Sequence, residues 1–144
     1  MMRRLDQRGF AALETCLVIG SLFLLMFTIF DLGLYAIHVQ SLRTLADAGA
    51  REMMIKCYTP LVTATPPLPP WSAATSLASC IGDPLPTLSA KQAAAPFVSL
   101  GGYTPTLNIT ATATALTVTA SSNYAMIWWP NAAPSASTSV PLPL

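Results

Sequence analysis

Two carboxylates, Glu14 and Asp31, lie inside the most apolar stretch of the chain. Glu14 follows Phe10 by four residues, and no further charged residue occurs until Asp31. A charged side chain in a membrane-spanning segment costs roughly 2–3 kcal/mol or more unless it is neutralised. Such a carboxylate is therefore expected to have a charge partner and a function. Glu14 is the first candidate functional residue of this sequence.

Few other residues are suited to chemistry. His38 is the single histidine, and we interpret it as a solvated or interfacial side chain and not as a metal ligand or a general base. Cys57 and Cys80 do not have the spacing of a metal site. The sequence contains no glycine-rich phosphate loop, zinc-protease motif or serine-hydrolase motif. We therefore predict no enzymatic activity, no cofactor, no metal and no small-molecule substrate.

The charged residues and the prolines divide the chain into two parts. Charged residues make up only 9% of the 144 residues, whereas a soluble domain averages about 25%. All but two of the charged residues lie at or before Lys56, and all 13 prolines lie at or after Pro60. The first part is compatible with one uninterrupted helix. The second part is not, because prolines interrupt helices. The net charge of +1 argues against a nucleic-acid partner.

Residues 10–37 are predicted to form a transmembrane helix, because a spanning helix needs about 20 mainly apolar residues. Arg3, Arg4 and Arg8 precede this stretch, which predicts that the short N-terminus stays in the cytoplasm. A secretory signal peptide is disfavoured, since the stretch is too long and ends without a small-residue cleavage site. A buried core helix is also disfavoured, because the rest of the chain offers too little ordered mass to surround it.

The residues at the start of this stretch resemble the processing site of type IV pilins and pseudopilins. Arg8–Gly9–Phe10–Ala11–Ala12–Leu13–Glu14 places a glycine directly before the apolar run and a glutamate five residues after that glycine. Ile29–Phe30–Asp31–Leu32–Gly33 and Ala46–Asp47–Ala48–Gly49–Ala50–Arg51 are similar to segments of the TadE-like minor pseudopilins of tight-adherence (Flp) pilus systems. Thr15 and Gly20 depart from the family pattern, which commonly has Phe and Pro at these positions.

The resemblance implies that residues 1–9 are a prepilin leader, which a prepilin peptidase removes by cutting after Gly9. Phe10 then becomes the first residue, and its new ammonium group lies one helical turn from Glu14. Glu14 can neutralise this ammonium, or that of a neighbouring subunit, and so set the subunit register. The implied location is the bacterial inner membrane, with the C-terminus in the periplasm and incorporation into an extracellular pilus left open.

The resemblance also implies a minor pseudopilin that initiates or supports pilus assembly and surface adhesion. The implied partners are the prepilin peptidase, other pseudopilins, the major pilin, the inner-membrane assembly platform and membrane lipid. Two alternatives stay open. One is an unprocessed single-pass envelope protein that binds a partner through its C-terminal module. The other is a pseudopilin of a type II-like secretion system.

Residues 38–57 are predicted to continue the helix as a stalk. Six residues recur at the alternating spacing of four and three that is typical of a helix-packing stripe. The stripe suits packing on another helix or on this chain's own C-terminal part, and both alternatives stay open. Its members are Tyr35, Val39, Leu42, Ala46, Gly49 and Met53.

Residues 58–144 are predicted to form a small β-containing module with proline-rich loops, which makes the fold class α+β. Cys57 and Cys80 are both expected outside the cytoplasm, where a disulfide between them can form, while Cys16 stays in the apolar stretch. Short helices are predicted at Trp71–Ser79 and Ser89–Ala95. Trp128 and Trp129 are interpreted either as an anchor to a partner or membrane interface, or as a local cover of the sheet.

Strands are predicted at Leu107–Ala113 and Leu116–Ser121, because apolar and polar residues alternate in both. The apolar residues change from odd to even positions near Thr114, which predicts a hairpin with its turn there. A third strand is predicted at Asn123–Trp129. The tail Asn131–Leu144, rich in Pro, Ser and Ala, is predicted to be mobile.

Overall fold

The computed structural model describes residues 3–59, 82–112, 115–127, 130 and 133–141, with side chains from Gly9 onward except at positions 57 and 58. The chain divides into two compact units, Met1–Leu34 and Tyr35–Leu144. Within the described residues, the order of elements is one long helix, a short helix and three strands. This order confirms the predicted α+β class with an N-terminal helix.

The long helix α1 spans Arg3–Met53 and continues into a π-helical turn at Met54–Tyr58. No proline interrupts these residues, so every peptide group after the first turn has a backbone N–H to donate. The short helix α2 spans Leu88–Ala94. Thr87 caps α2, because its side chain accepts a hydrogen bond of 3.2 Å from the backbone N–H of Ala90. The predicted helix at Ser89–Ala95 is confirmed within one residue at each end.

Three antiparallel strands form one sheet in the order β1-β2-β3, in which β1 is Pro105–Ala111, β2 is Ala115–Ser122 and β3 is Ser135–Pro141. Ile109 pairs with Val118, and Val118 pairs with Thr138. The turn between β1 and β2 is closed by Thr112, whose backbone N–H donates to the carbonyl of Ala115 at 2.8 Å. The hairpin predicted from the switch of apolar positions is therefore confirmed.

The core of the second unit lies between α1 and one face of the sheet. Gly49 is a point of close approach, because a Cβ atom added to it would lie 3.3 Å from Val118 Cγ1. The opposite face of the sheet is polar and uncharged, with Thr106, Asn108 and Thr110 of β1 exposed. The buried apolar residues from α1 and the sheet are Leu42, Leu45, Ala46, Ala50, Met53, Ile109, Leu116, Val118, Ala120 and Ala136.

The third strand differs from the prediction. Residues 123–127 contain no strand, and β3 instead occupies Ser135–Pro141, inside the segment that was predicted to be a mobile tail. Ala136 is buried and Val140 is half-buried, whereas Ser135, Ser137 and Ser139 are exposed. This weak alternation is enough for a strand to form, because β2 supplies a complete row of backbone hydrogen-bond partners for β3. The helix predicted at Trp71–Ser79 lies outside the described residues, as do Trp128 and Trp129.

Candidate processing site and assembly surface

Gly9, Phe10 and Glu14 all lie on α1 in the first unit. Gly9 has no heavy atom within 4 Å of the place where its Cβ would lie, and Phe10 is largely exposed. Glu14 is exposed, and no ion pair or hydrogen bond of its carboxylate is found among the described side chains. Residues Phe10 and Glu14 are separated by one helical turn, so a charge on the nitrogen of Phe10 would lie on the same helix face as this carboxylate.

The helix surface that follows Glu14 is apolar and exposed. Over an 18-residue window the mean hydropathy reaches 2.2, and this helix is long and apolar enough to cross a membrane. Phe23 and Phe27 stack on each other with ring centroids 6.3 Å apart, and both rings stay exposed. Burial of apolar area contributes about 25 cal/mol per Å², and this surface fits a single-pass membrane anchor.

The predicted packing stripe lies in the second unit and is covered by the chain's own sheet. Leu42, Ala46, Gly49 and Met53 are buried, and Tyr35 and Val39 are half-buried. Packing on the chain's own C-terminal part, one of the two alternatives, is thus what the structure contains. A neighbouring helix would have to use a different face of α1.

His38 lies in a buried aromatic cluster, and the prediction of a solvated or interfacial side chain is wrong. Its side chain is 1% exposed. The ring stacks on Tyr124 with centroids 4.4 Å apart and meets the edge of Tyr103 at 5.5 Å. Tyr35, one turn before His38, lies 6.3 Å from Tyr124. The cluster thus ties α1 to the segments that precede β1 and follow β2.

Burial lowers the pKa of His38 from its ordinary value of 6.5, and a hydrogen bond to the backbone of Leu100 opposes this effect only in part. The Nδ1 atom of the ring is buried and has no hydrogen-bond partner among the residues that the structure describes. His38 follows the expected transmembrane segment 10–37 and belongs to the second unit. The neutral imidazole therefore functions here as an aromatic core residue.

Gly101 and Gly102 form the turn that places Tyr103 in this cluster. Both have positive φ angles, of 81° and 82°, which non-glycine residues rarely adopt. A Cβ atom at Gly101 would lie 2.9 Å from Cε2 of Tyr103. The glycine pair before a tyrosine is a turn signal in the sequence, but nothing local to it indicates that His38 is the partner.

Lys91 and Asp83 form an ion pair in the second unit that sequence reasoning missed. Lys91 Nζ lies 2.7 Å from Asp83 Oδ2 and donates to the carbonyl of Pro105 at 3.3 Å. Asp83 Oδ1 accepts from the backbone N–H of Leu85 at 2.9 Å. These contacts connect α2 to the start of β1. Both charges of this pair are thus partnered within the second unit.

The remaining candidate residues are the three cysteines. Cys16 is a free and exposed cysteine on α1. The expected disulfide lies outside the described residues, since Cys80 and the side chain of Cys57 are not among them. Among the described residues, no group of histidine, cysteine and acidic side chains is arranged to hold a metal ion.

Comparison with known proteins finds a similarity in the N-terminal part of the chain. Residues 9–51 match the family model described as TadE-like protein. This match confirms the resemblance for what we call the TadE-like segment, residues 9–51, which begins at Gly9 and ends beside the π-helical turn. No curated protein and no solved structure matches the chain. The TadE-like segment contains Glu14, the exposed apolar surface and most of the packing stripe, whereas the sheet lies beyond it.

Proposed function

We propose that this chain is a minor pseudopilin of a tight-adherence (Flp-type) pilus assembly or secretion apparatus. The match of the TadE-like segment supports a component associated with such a pilus. The observation that carries the finer proposal is the position of Glu14, an exposed carboxylate one turn after Phe10 at the start of an exposed apolar helix. In this role the chain is non-catalytic, and it acts through the packing of α1 against other pilin helices.

The proposed maturation begins with a prepilin peptidase that cuts after Gly9. The cut creates an ammonium group on Phe10, and Glu14 neutralises it within the chain or on a neighbouring subunit. Pairing lowers the cost of holding both charges near lipid, because each charge alone is expensive there. The same pairing can fix the register of a neighbouring pilin helix, when the N-terminus of that helix reaches Glu14.

The proposed topology places the N-terminus in the cytoplasm and the sheet module in the periplasm of a bacterial inner membrane. The basic residues before the apolar stretch support this orientation. The proposed partners are other pseudopilins, the major pilin and the assembly platform. Protease added to spheroplasts should digest the module if this orientation is right, and only lysed cells should allow digestion if it is inverted.

The decisive test is the N-terminus of the full chain purified from membranes that contain a prepilin peptidase. We expect intact mass and N-terminal sequencing to identify Phe10 as the first residue. Gly9→Ala should block the cut, whereas Gly20→Ala, a matched change on the same helix, should leave it unchanged. Recovery of the full-length chain alone would contradict the proposal and favour the unprocessed envelope anchor.

A second experiment separates the two kinds of apparatus. The mature chain should co-purify with tight-adherence pilins and their platform when cross-linked in native membranes. Co-purification with type II-like secretion components would instead identify the alternative pseudopilin role. The cut after Gly9 is common to both, so this experiment is read only on chains that begin with Phe10.

A further inference from the structure

The outer edge of β3 offers backbone hydrogen-bonding groups to a further strand. In the described sheet β3 pairs with β2 alone, so it forms an edge of the sheet. The backbone N–H of Ser122 donates to the carbonyl of Pro134 at 3.2 Å. Because hydrogen-bonded and non-hydrogen-bonded pairs alternate along an antiparallel ladder, every second residue from Pro134 to Val140 points its backbone groups toward β2. The residues between them point theirs outward, and these are Ser135, Ser137 and Ser139.

This edge is open, whereas the edge formed by β1 is partly covered. Lys91 of α2 donates to the carbonyl of Pro105 at the start of β1, and Pro105 itself has no N–H. At β3, no hydrogen bond to the outward backbone groups is found among the described residues, and the three serines are exposed. Edge strands are commonly protected by charged residues or prolines, but β3 contains no charge, and its proline is only its last residue, Pro141. A strand edge of this kind can accept an added strand.

A pocket lies beside this edge, between β3 and α1. It has a volume of about 420 Å³. Val140 of β3 supplies one part of its apolar wall, and Ala50, Met54 and Ile55 of α1 and its π-helical turn supply the rest. Successive side chains of a strand alternate between its two faces. A strand added to β3 would therefore direct every second side chain toward this pocket.

Arg51 gives the pocket a positive charge that is available to an anion. It lines the pocket and is exposed, and none of the ion pairs among the described side chains includes it. Asp47, one turn earlier and also at the pocket, accepts a hydrogen bond from Thr138 Oγ1 of β3. The carboxylate of Asp47 is thus engaged by the strand, while the guanidinium of Arg51 can pair with an acidic side chain from outside the chain.

We propose that the free edge of β3 binds an extended segment of another protein, which adds to the sheet as a fourth strand, places apolar side chains in the pocket and pairs a carboxylate with Arg51. A second copy of this chain fits less well through the same strand. β3 consists of small, uncharged residues, so two such strands would leave Arg51 of both copies without a counter-ion. The site lies wholly in the second unit and goes beyond the proposed function, because it requires neither the cut after Gly9 nor a membrane anchor.

The test uses the full chain in detergent micelles and a synthetic peptide with the sequence ETVTVTE, blocked at both ends and labelled with a neutral fluorophore. The sequence reads the same in both directions, so a glutamate can reach Arg51 in either orientation. In an extended peptide the valines and glutamates share one face, and the threonines occupy the other. We expect the fluorescence anisotropy to rise and saturate as the chain is added. Absence of saturable binding would overturn the proposal.

The backbone pairing is tested by changes to the peptide. In an antiparallel fourth strand, the residues opposite the three outward serines have their side chains on the polar face of the sheet and their amides toward β3. These residues are the threonines of the peptide. N-methylation of the threonines should weaken binding at least about tenfold, because several hydrogen bonds are lost. N-methylation of the valines is the matched control and should change binding little, and equal effects of the two would overturn strand addition.

Substitutions in the chain provide the second arm. Ser137→Pro removes an outward N–H at an edge position where proline is tolerated, and it should also weaken binding at least about tenfold, whereas Ser137→Ala keeps the N–H and should bind normally. Arg51→Gln should weaken binding about two- to fivefold, as expected for an exposed ion pair. Arg43→Gln is its control, because Arg43 is exposed on the same helix but does not line the pocket. Near-ultraviolet circular dichroism checks that each variant is folded.

Three further outcomes separate this inference from its alternatives. Full binding by a folded Ser137→Pro variant would overturn the proposal, since the peptide would then bind elsewhere. A chain that sediments as a dimer and becomes monomeric with Ser137→Pro would also overturn it, because a second copy would then occupy the edge. An uncut N-terminus together with normal, edge-dependent binding would support this inference and contradict only the proposed processing.

Discussion

The ring of His38 stacks on the ring of Tyr124 with centroids 4.4 Å apart and planes inclined by 28°. Tyr103 meets both rings edge-on, at 5.5 Å from His38 and 5.0 Å from Tyr124. Aromatic pairs in such geometry contribute about 0.5–1.5 kcal/mol beyond their buried area. This trio therefore attaches the segments before β1 and after β2 to α1.

Tyr124→Ala should strongly destabilise the second unit. It removes a buried ring from the cluster and leaves a cavity beside His38, so we expect a loss of about 3–4 kcal/mol in the free energy of unfolding. Denaturant unfolding of the full chain in detergent micelles, followed by near-ultraviolet circular dichroism, measures this loss. Ser137→Ala, on the exposed side of β3, should change stability by less than about 0.5 kcal/mol. Equal losses for the two variants would mean that the cluster does not hold the unit.

The stability of the second unit should fall in acid because of His38. Burial lowers its pKa in the folded state, so the unfolded chain binds more protons once the pH drops below the ordinary value of 6.5. The contribution of His38 to the free energy of unfolding is fully present above that pH and decreases as the pH falls below it. Unfolding measured between neutral and mildly acidic pH should detect this slope, and His38→Phe should flatten it. A slope that survives in the variant would assign the effect to another group.

Gly49→Leu should separate α1 from the sheet. An added Cβ alone would lie 3.3 Å from Val118 and 3.6 Å from Leu107, so a larger side chain does not fit. We expect a loss of about 2 kcal/mol or more in the free energy of unfolding. Gly20→Leu is the matched control, since no atom lies within 4 Å of the corresponding Cβ. If the two variants unfold at the same denaturant concentration, Gly49 is not a point of close approach.

Asp83→Asn should destabilise the module more than Lys91→Met does. The Lys91 side chain is only 11% exposed, whereas that of Asp83 is 30% exposed. An unpaired charge on Lys91 therefore costs more free energy than an unpaired charge on Asp83. We expect a loss of about 2 kcal/mol for Asp83→Asn. The double variant should lose less than the sum of the two single losses, as measured by a double-mutant cycle. Strict additivity would show that the pair does not interact energetically.

Glu14→Gln should leave the cut after Gly9 intact but weaken assembly. It keeps the shape of the side chain and removes the charge that neutralises the ammonium of Phe10. Recovery of cross-linked pilin partners should fall roughly tenfold, which corresponds to about 1.4 kcal/mol of pairing energy. Glu52→Gln is the control, because its exposed pair with Lys56 contributes little. Unchanged recovery would mean that Glu14 has no pairing role.

The hairpin could be predicted from the sequence because its signal is local. Alternation within each strand and the switch of apolar positions near residue 114 depend only on neighbouring residues. The third strand could not be found in this way. Residues 123–127 contain larger apolar side chains, but β3 consists of small residues whose strand form depends on the pairing of Ala136 with Ala120 and of Val140 with Leu116.

The aromatic cluster was missed for a related reason. His38, Tyr103 and Tyr124 are distant in sequence, and an isolated histidine on a helix is usually solvated. Only the packing of the sheet on α1 brings the three rings together. By contrast, Gly9, Phe10 and Glu14 form a local pattern, which the family match over residues 9–51 supports.

The position of β3 determines when the second unit can become complete during synthesis. β2 is the central strand, and its second neighbour is supplied by residues 135–141, which are synthesised after α1 and the other two strands. Ala136 cannot contribute to the core before then, although the helix face that it helps to cover was made long before. Before β3 is made, β2 therefore has an unpaired edge and α1 has an incompletely covered face. Residues 10–37 are already available for membrane insertion at this stage. A holding chaperone would be useful during this interval.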